Sequence, residues 1–420
     1  MPGQSGQGDA DLLADLQTVL AVSRALGAER DLDRLLALIV ASATDLVDAE
    51  RTSLFVVDRE RNELWTRVAE GSGEIRLPLG RGIAGAVAVD GSVVNIPSAY
   101  DDRRFDPAND RRTGFTTRSI LCLPMFNHDG VVVGVIQALN KRGSAPFGER
   151  DEQVLAALAA QAGVALENAQ LLQRDRERQR LLHDLELART IQLGLLPRTV
   201  PETAAWRFAA WQRSCDATGG DYHDFIPGPD GATDAVVGDV SGHGIAAAML
   251  MSTARAFLLA LHQHEQDPAA LVGRLNGLLS ADMADDAFMT MVLARFQPDG
   301  GISYVSAGHD PPLVLRRAAA TWDAHESTGL ALGMLDETTY GLARIAPLAR
   351  GDLVVLLTDG IVEAHAPPVR ELFGNDRLRA AIAGASGAAA VRDAVVAAVD
   401  LWLGGRPQHD DMSLIVAERR

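Results

Sequence analysis

Aspartates recur in this chain where a tight turn adjoins an apolar run, and such carboxylates can do metal chemistry if the fold brings them together. Asp239 stands in Gly238-Asp-Val-Ser-Gly-His-Gly244. The β-branched run Asp234-Ala-Val-Val precedes it, and Ile245 to His264, free of Gly and Pro, follows; this pattern predicts a strand, a glycine turn and a long helix. An aspartate on such a turn is expected to be exposed and rigidly held. Asp221 follows Gly219-Gly220, Asp359 follows the strand-like Asp352-Leu-Val-Val-Leu-Leu, and Asp410-Asp411 precede Met412-Ser-Leu-Ile-Val. One such aspartate is a turn former. Several at the edges of adjacent strands repel one another unless cations intervene. Oxygen ligands without cysteine or closely spaced histidine pairs suit Mg²⁺ or Mn²⁺ rather than Zn²⁺.

The elements that must position these groups follow from hydrophobic patterning. Strands are expected at 206–213, 234–240, 288–296, 301–307, 312–316, 352–358 and 412–417, and helices at 245–264, 268–284, 376–384 and 389–403. Sheets interleaved with paired helices make a layered α/β domain. Upstream, Asp11 to Val47 reads as two helices around Gly27, followed by β-rich segments near 53–57, 64–68, 93–96, 119–123 and 131–139 and a closing helix from Glu149. Val164 to Leu196 lacks Pro, and Gly until 194, so it is expected to form one helix. Its centre, Gln173 to Arg180, is charged, but Leu171, Leu181, Leu185, Ala188 and Leu195 fit a loose a/d seam, which predicts a parallel homodimer through a helix pair.

The acidic motifs resemble the SpoIIE-like branch of the metal-dependent PPM serine/threonine phosphatases. The matches are Gly219-Gly-Asp-Tyr-His-Asp224, Gly238 to Gly244, Phe288-Met-Thr-Met291, Ala307-Gly-His-Asp-Pro-Pro-Leu313, Leu356 to Ala364 and Asp410-Asp-Met-Ser413. The resemblance implies a PPM αββα sandwich and two Mn²⁺ or Mg²⁺ ions that activate a shared water for phosphoester hydrolysis. It implies that Asp239 bridges both ions, that Asp221 and the Val240 carbonyl complete one site, and that Asp359 and Asp410 hold the other. By the same resemblance, Asp239 and Asp359 are the carboxylates on which catalysis is expected to depend. Asp411 is expected to support a ligand or to be solvated, and Asp224 to cap a helix or turn or, in the alternative, to hold a metal-bound water. His243 lies two residues further from its aspartate than the histidine of the Asp-Gly-His in eukaryotic relatives, so a supporting or packing role is expected. His309 is read as a structural loop histidine. The implied substrate is a phosphoserine or phosphothreonine on a partner-switching protein, a STAS-type anti-sigma-factor antagonist, which places the chain in bacterial sigma-factor regulation.

The first part of the chain resembles a GAF domain, an antiparallel sheet backed by helices. The residues are Gly82-Ile-Ala-Gly85, Asn95-Ile-Pro97, Thr113-Gly-Phe115, Arg118 to Pro124, and Asn140-Lys141 with Phe147, Asp151 and Glu152. The last set matches GAF domains that bind cyclic nucleotides, where the Lys and Asp pair with each other. By the same local matches Ser53, Ile83, Ala84, Asp110, Thr113, Thr117 and Gln137 are the candidate ligand contacts. Ala69 and Glu70 replace the aromatic and Asp of that pattern, which removes a stacking face. The ligand is therefore a cyclic nucleotide or another small molecule, or the fold serves dimerisation alone.

The resulting organisation is a disordered start at 1–10, a GAF sensor at 11–172, a helical coiled-coil linker at 173–200 and a phosphatase domain at 201–420. The fold class is α/β (α+β) in two domains. Its 420 residues exceed one ordinary core. Lys and Arg total 39 against 56 Asp and Glu, a formal charge of −17, which argues against nucleic acid or an anionic membrane as partner. No apolar run approaches the roughly 18 residues of a membrane span, and no signal-peptide pattern opens the chain, so a cytoplasmic location is expected. Cys122 and Cys215 are expected to be free thiols. Two other classes compete. A non-catalytic docking protein has no need of all the metal carboxylates, which are intact here. A nucleotide cyclase behind a GAF sensor also uses paired Asp and divalent metal, but has no use for the phosphatase-like motifs.

Overall fold

The computed structural model describes residues 20–66, 75–143, 145–283, 287–365 and 371–420. Residues 1–10, Ala69 and Glu70 lie outside these, as does the side chain of Thr113. The chain divides into two compact units between Arg180 and Leu181.

In the first unit an antiparallel six-stranded sheet has the order β3-β2-β1-β6-β5-β4, with β1 Ala49–Asp58, β2 Glu63–Thr66, β3 Ile75–Pro78, β4 Val94–Ile96, β5 Ile120–Phe126 and β6 Val132–Lys141. Alternation along the strands splits its side chains between two cores. Leu54, Val56, Leu121, Leu123 and Ile136 meet Leu26 of helix α1 (20–28 among the described residues), helix α2 (Leu32–Leu46) and the start of α5 (Glu149–Leu195), including Leu35, Ile39, Leu155, Leu158 and Leu166. Asp31 caps α2 by accepting from the Arg34 amide at 3.0 Å. On the other face Phe55, Ile120, Cys122 and Val135 pack with α3 (Gly82–Asp90) through Ile83, Ala84 and Val87. The short α4 (Ala108–Thr113) borders that side.

The closing helix and the linker, expected as separate helices, are one 47-residue helix. Gly163 does not break it, because a Cβ there would lie 2.1 Å from the Phe126 carbonyl oxygen; the glycine permits close packing. The seam is corrected in its last turns. Leu171 and Leu181 are exposed as expected, but Leu185, Ala188 and Leu195 are half-buried, and Gln192 on the same face is buried against Gly219, exchanging hydrogen bonds with its backbone N–H and C=O. The exposed apolar residues of this stretch are Leu181, Leu182, Leu187, Ile191 and Leu193.

The second unit is a four-layer sandwich. One five-stranded sheet runs β14-β11-β10-β9-β8 and the other β13-β12-β15-β16-β7. The strands are β7 Trp206–Arg213, β8 Tyr222–Pro227, β9 Thr233–Val240, β10 Met289–Phe296, β11 Ile302–Ala307, β12 Leu313–Arg316, β13 Thr321–Asp323, β14 Ala343–Ile345, β15 Leu353–Leu357 and β16 Met412–Arg419. Trp206, Phe208, Val237, Phe296, Val354 and Ile415 fill the space between the sheets. Helices α6 (Ile245–His262) and α7 (Pro268–Asp282) cover the first sheet, and α9 (Gly374–Gly384) and α10 (Ala388–Leu403) the second; α8 (Asp359–Val362) is a single turn. Asp234 on β9 is buried but paired with Arg295 at 2.7 Å and His262 at 2.8 Å, and these partners hold its pKa below the usual carboxylate value despite burial.

Contrary to expectation, Glu149–Leu195 and Ile245–His262 are long and apolar enough to span a bilayer by length and composition. Each commits apolar residues to a protein core, Leu155, Leu158 and Leu166 in one and Ala247, Met251 and Leu258 in the other.

Candidate active site and sensor cavity

Register brings the acidic motifs to one edge of the sandwich. Tyr222 pairs with Gly238, so Asp221 precedes β8 directly beside Asp239 near the end of β9. Leu357 pairs with Leu414, so Thr358 and Asp359 leave β15 where Asp410 and Asp411 enter β16. A hydrogen bond from Thr358 Oγ1 to Asp221 Oδ2, 2.8 Å, ties the two sheets together at this edge. Two glycines make the approach possible. A Cβ on Gly220 would lie 2.8 Å from the Val240 carbonyl oxygen, and one on Gly360 would lie 1.9 Å from that of Asp411. Asp221, Asp239, the Val240 carbonyl, Asp359 and Asp410 are thus gathered at one edge.

The electrostatics of this edge suit a cation-binding site. Asp221 is completely buried, and its Oδ1 has no hydrogen-bond partner. Burial first, then the charge of Asp239, pushes its pKa well up. Burial and the charge of Asp359 push Asp239 up to about 7. Asp359 is raised by partial burial and then by Asp410, and Asp410 is also raised, chiefly by partial burial. Among the described residues none of these four carboxylates is paired with a lysine or arginine, in contrast to Asp234. An orphaned buried oxygen in an all-oxygen donor set fits a hard divalent cation such as Mg²⁺ or Mn²⁺.

Several expectations change. Asp239 is half-buried within β9 rather than exposed on the turn. Asp411 is buried, not solvated, and accepts from the Cys215 and Gly220 amides at 2.7 Å each, so it anchors the loop carrying Asp221. Asp224 caps nothing; it lies in β8, accepts from the Tyr222 hydroxyl at 2.9 Å and meets Arg255 at 3.3 Å. His243 does not pack, since its side chain is exposed with Nδ1 2.7 Å from Asp216 Oδ2. His309 is structural. It is buried, Thr290 Oγ1 donates to Nδ1 at 2.8 Å, and Nε2–H donates to the Leu357 carbonyl at 3.0 Å. Thr358, Asp411 and Gln192 are the supporting residues that motif reading missed or left open. Cys122 and Cys215 are free.

In the first unit a cavity of about 550 Å³ is lined by Ile83, Ala84, Asp110, Thr117 and Gln137, five of the seven expected contacts. Ser53 pairs with Gln137 across β1 and β6 but stands outside the lining. Arg81, Arg103 and Arg104 also border the cavity, which the sequence did not reveal. The Asp110 carboxylate is already engaged by Thr117 N at 2.7 Å, Thr117 Oγ1 at 2.8 Å and Tyr100 Oη at 3.0 Å. Lys141 and Asp151 pair with each other as expected.

The sandwich with its carboxylate edge and the unit before it match two separate family models. Residues 229–420 match the family model for Stage II sporulation protein E, and residues 31–166 match that for the GAF domain. The matched segment contains Asp239, Val240, Asp359 and Asp410, while Asp221 lies just upstream of it. The SiaA-PP2C domain of Pseudomonas aeruginosa shares the fold, with a TM-score of 0.51 and 22% identity over 58% of this chain and 98% of that one. Dual 3',5'-cyclic-AMP and -GMP phosphodiesterase 11A of Takifugu rubripes is 43% identical over 147 residues, 31% of this chain. Probable 3',5'-cyclic phosphodiesterase pde-5 of Caenorhabditis elegans is 37% identical over 154 residues, 33% of this chain. This chain spans only 16% and 21% of the length of those two curated relatives.

Proposed function

We propose that the protein is a cytoplasmic, Mn²⁺- or Mg²⁺-dependent phosphatase for a phosphoserine or phosphothreonine on a STAS-type anti-sigma-factor antagonist, controlled by a small ligand in the GAF cavity. The observation that carries the metal-dependent part is the buried, unpartnered Asp221 Oδ1 among carboxylates with raised pKa values. Asp221, Asp239, the Val240 carbonyl, Asp359 and Asp410 would hold two divalent ions. When bound, such ions lower the pKa of a shared water, align it and neutralise phosphoryl charge. The chain supplies the frame. Asp411 fixes the 215–221 loop through backbone amides, Thr358 orients Asp221 across the two sheets, and Gly220 and Gly360 let the segments close up. His243, held by Asp216 at the exposed rim, is suited to ordering water or substrate rather than to building the site.

For the sensor, the relatives whose names specify cyclic nucleotides, together with a cavity bordered by arginines and Gln137, favour a cyclic nucleotide. Exposed Leu181, Leu182, Leu187 and Ile191 favour pairing of the long helix with that of a second copy. A ligand then alters activity only by binding two arrangements of that pair unequally. The test is p-nitrophenyl phosphate hydrolysis by the full chain after metal removal. Turnover should be absent with chelator and restored by Mn²⁺. Metal-independent turnover, or none with Mn²⁺, would refute the reading. Replacing Leu181 and Leu182 with Asp should convert a dimer to a monomer by light scattering; a wild-type monomer refutes the pairing alone.

A further inference from the structure

A second cavity, of about 270 Å³, adjoins the carboxylate edge. Its lining includes Leu357 and Val362, which bracket Asp359 in the chain, and Asp310, whose charge adds to burial and Asp410 in raising the Asp359 pKa. Asp323, also in the wall, is already neutralised by Arg316 at 2.8 Å. On the α9 side Asn375 and Arg379 stand one helical turn apart, both exposed. Arg379 lies over the Trp322 ring, 5.5 Å from its centroid, and among the described residues it has no carboxylate partner. His325, in the segment after β13, also lines the cavity, with its Nε2 4.0 Å from the Asp323 carboxylate. From α9 the Asn375 amide and the Arg379 guanidinium, neither with a carboxylate partner among the described residues, thus enter a lining that also includes apolar Leu313, Leu357 and Val362.

We propose that this cavity selects the protein substrate by taking an Asp or Glu side chain close in sequence to the phosphorylated residue, with Arg379 as its ion-pair partner. The inference rests on the phosphatase reading and names a specificity pocket within it. An arginine held flat by an aromatic ring is pre-organised for a carboxylate, since little further side-chain freedom is lost on pairing. Asp310 lies at the cation-binding end, so the α9 wall decides the sign of the selected charge.

The test uses the full-length protein with Mn²⁺ and phosphoserine peptides whose flanking positions, roughly three to either side, carry Glu, Gln or Lys. The readout is the ratio of kcat/KM for the Glu series to that for the Lys series, taken within each variant so that any general loss of activity divides out. Wild type should favour Glu by about tenfold, the scale of one modest charge pair. Arg379→Gln should flatten the ratio, and Arg379→Glu should invert it. An unchanged ratio in Arg379→Glu, or a wild-type preference for Lys, overturns the pocket and leaves the phosphatase reading standing. Release of phosphate from no peptide by wild type overturns both.

Discussion

Each unit buries an aspartate beside a binding site, and the two are in opposite electrostatic states. In the sensor, Asp110 receives Tyr100 Oη, Thr117 N and Thr117 Oγ1, so its charge is met by neutral donors. At the catalytic edge, Asp221 Oδ2 accepts from Thr358 Oγ1, its Oδ1 has no hydrogen-bond partner at bonding distance, and burial with the charges of Asp239 and Asp411 raises its pKa despite the Ser413 and Thr358 hydroxyls. A buried carboxylate with its lone pairs satisfied is framework, whereas one with an unpartnered oxygen is suited to binding a cation. Asp234, held by Arg295 and His262, shows the same distinction within the catalytic unit.

The largest effect expected from this contrast is on turnover. Asp239→Asn or Asp359→Asn should lower Mn²⁺-dependent hydrolysis by about 10³-fold or more, because several kcal/mol of charge stabilisation is lost, while circular dichroism stays native. Next comes support of the ligand. Thr358→Val should weaken Mn²⁺ binding by about 10- to 100-fold, as is usual for outer partners of a metal ligand; unchanged affinity would show that the bond across the sheets is incidental.

Stability without metal should then separate the two aspartates by sign. Asp110→Ala strands buried donors and should cost the sensor unit about 1–3 kcal/mol. Asp239→Asn removes repulsion and should stabilise the metal-free catalytic unit at neutral pH, by about 1–2 kcal/mol after allowance for its partial exposure. Destabilisation by both, measured by calorimetry in chelator, breaks the comparison.

The pH dependence sharpens it further. A raised carboxyl pKa means that the folded chain keeps a proton which the unfolded chain sheds above about pH 4. Metal-free stability from Asp239 therefore falls as pH climbs from that value toward about 7. The gain in melting temperature on adding Mn²⁺ should be larger near pH 8 than near pH 5.5 in the catalytic unit, with no such trend in the sensor unit. The smallest effect is at the sensor cavity, where Gln137→Ala should weaken cyclic-nucleotide binding about tenfold by removing one hydrogen bond.

The placement of Asp221, Asp239 and Asp359 at one edge was legible because each sits where hydrophobic period and glycine placement both mark a boundary. Asp239 between a β-branched run and an Ala/Leu helix is the clearest case. Asp411 was not, since an Asp-Asp doublet does not reveal which side chain turns inward. Gly219-Gly-Asp read as a turn concealed β8, which begins at the next residue. The three-residue strands β13 and β14 are too short to show alternation. α3 is apolar on all sides and so lacks a helical stripe. The seam on α5 failed after Leu181 because pattern alone cannot tell a partner helix from the chain's own Gly219 loop as the surface a helix face covers. In the sensor, Arg81 and the adjacent pair Arg103-Arg104 come from two separate segments, so only the fold unites them at the cavity.

The central claim, that the carboxylate edge is completed by cations, is tested most directly by calorimetric titration of Mn²⁺ into the metal-stripped full chain. The account predicts two ions per chain for wild type and loss of that stoichiometry in Asp239→Asn, the carboxylate assigned to both ions. Absence of binding in wild type, or two ions still bound by Asp239→Asn with undiminished affinity, would contradict it.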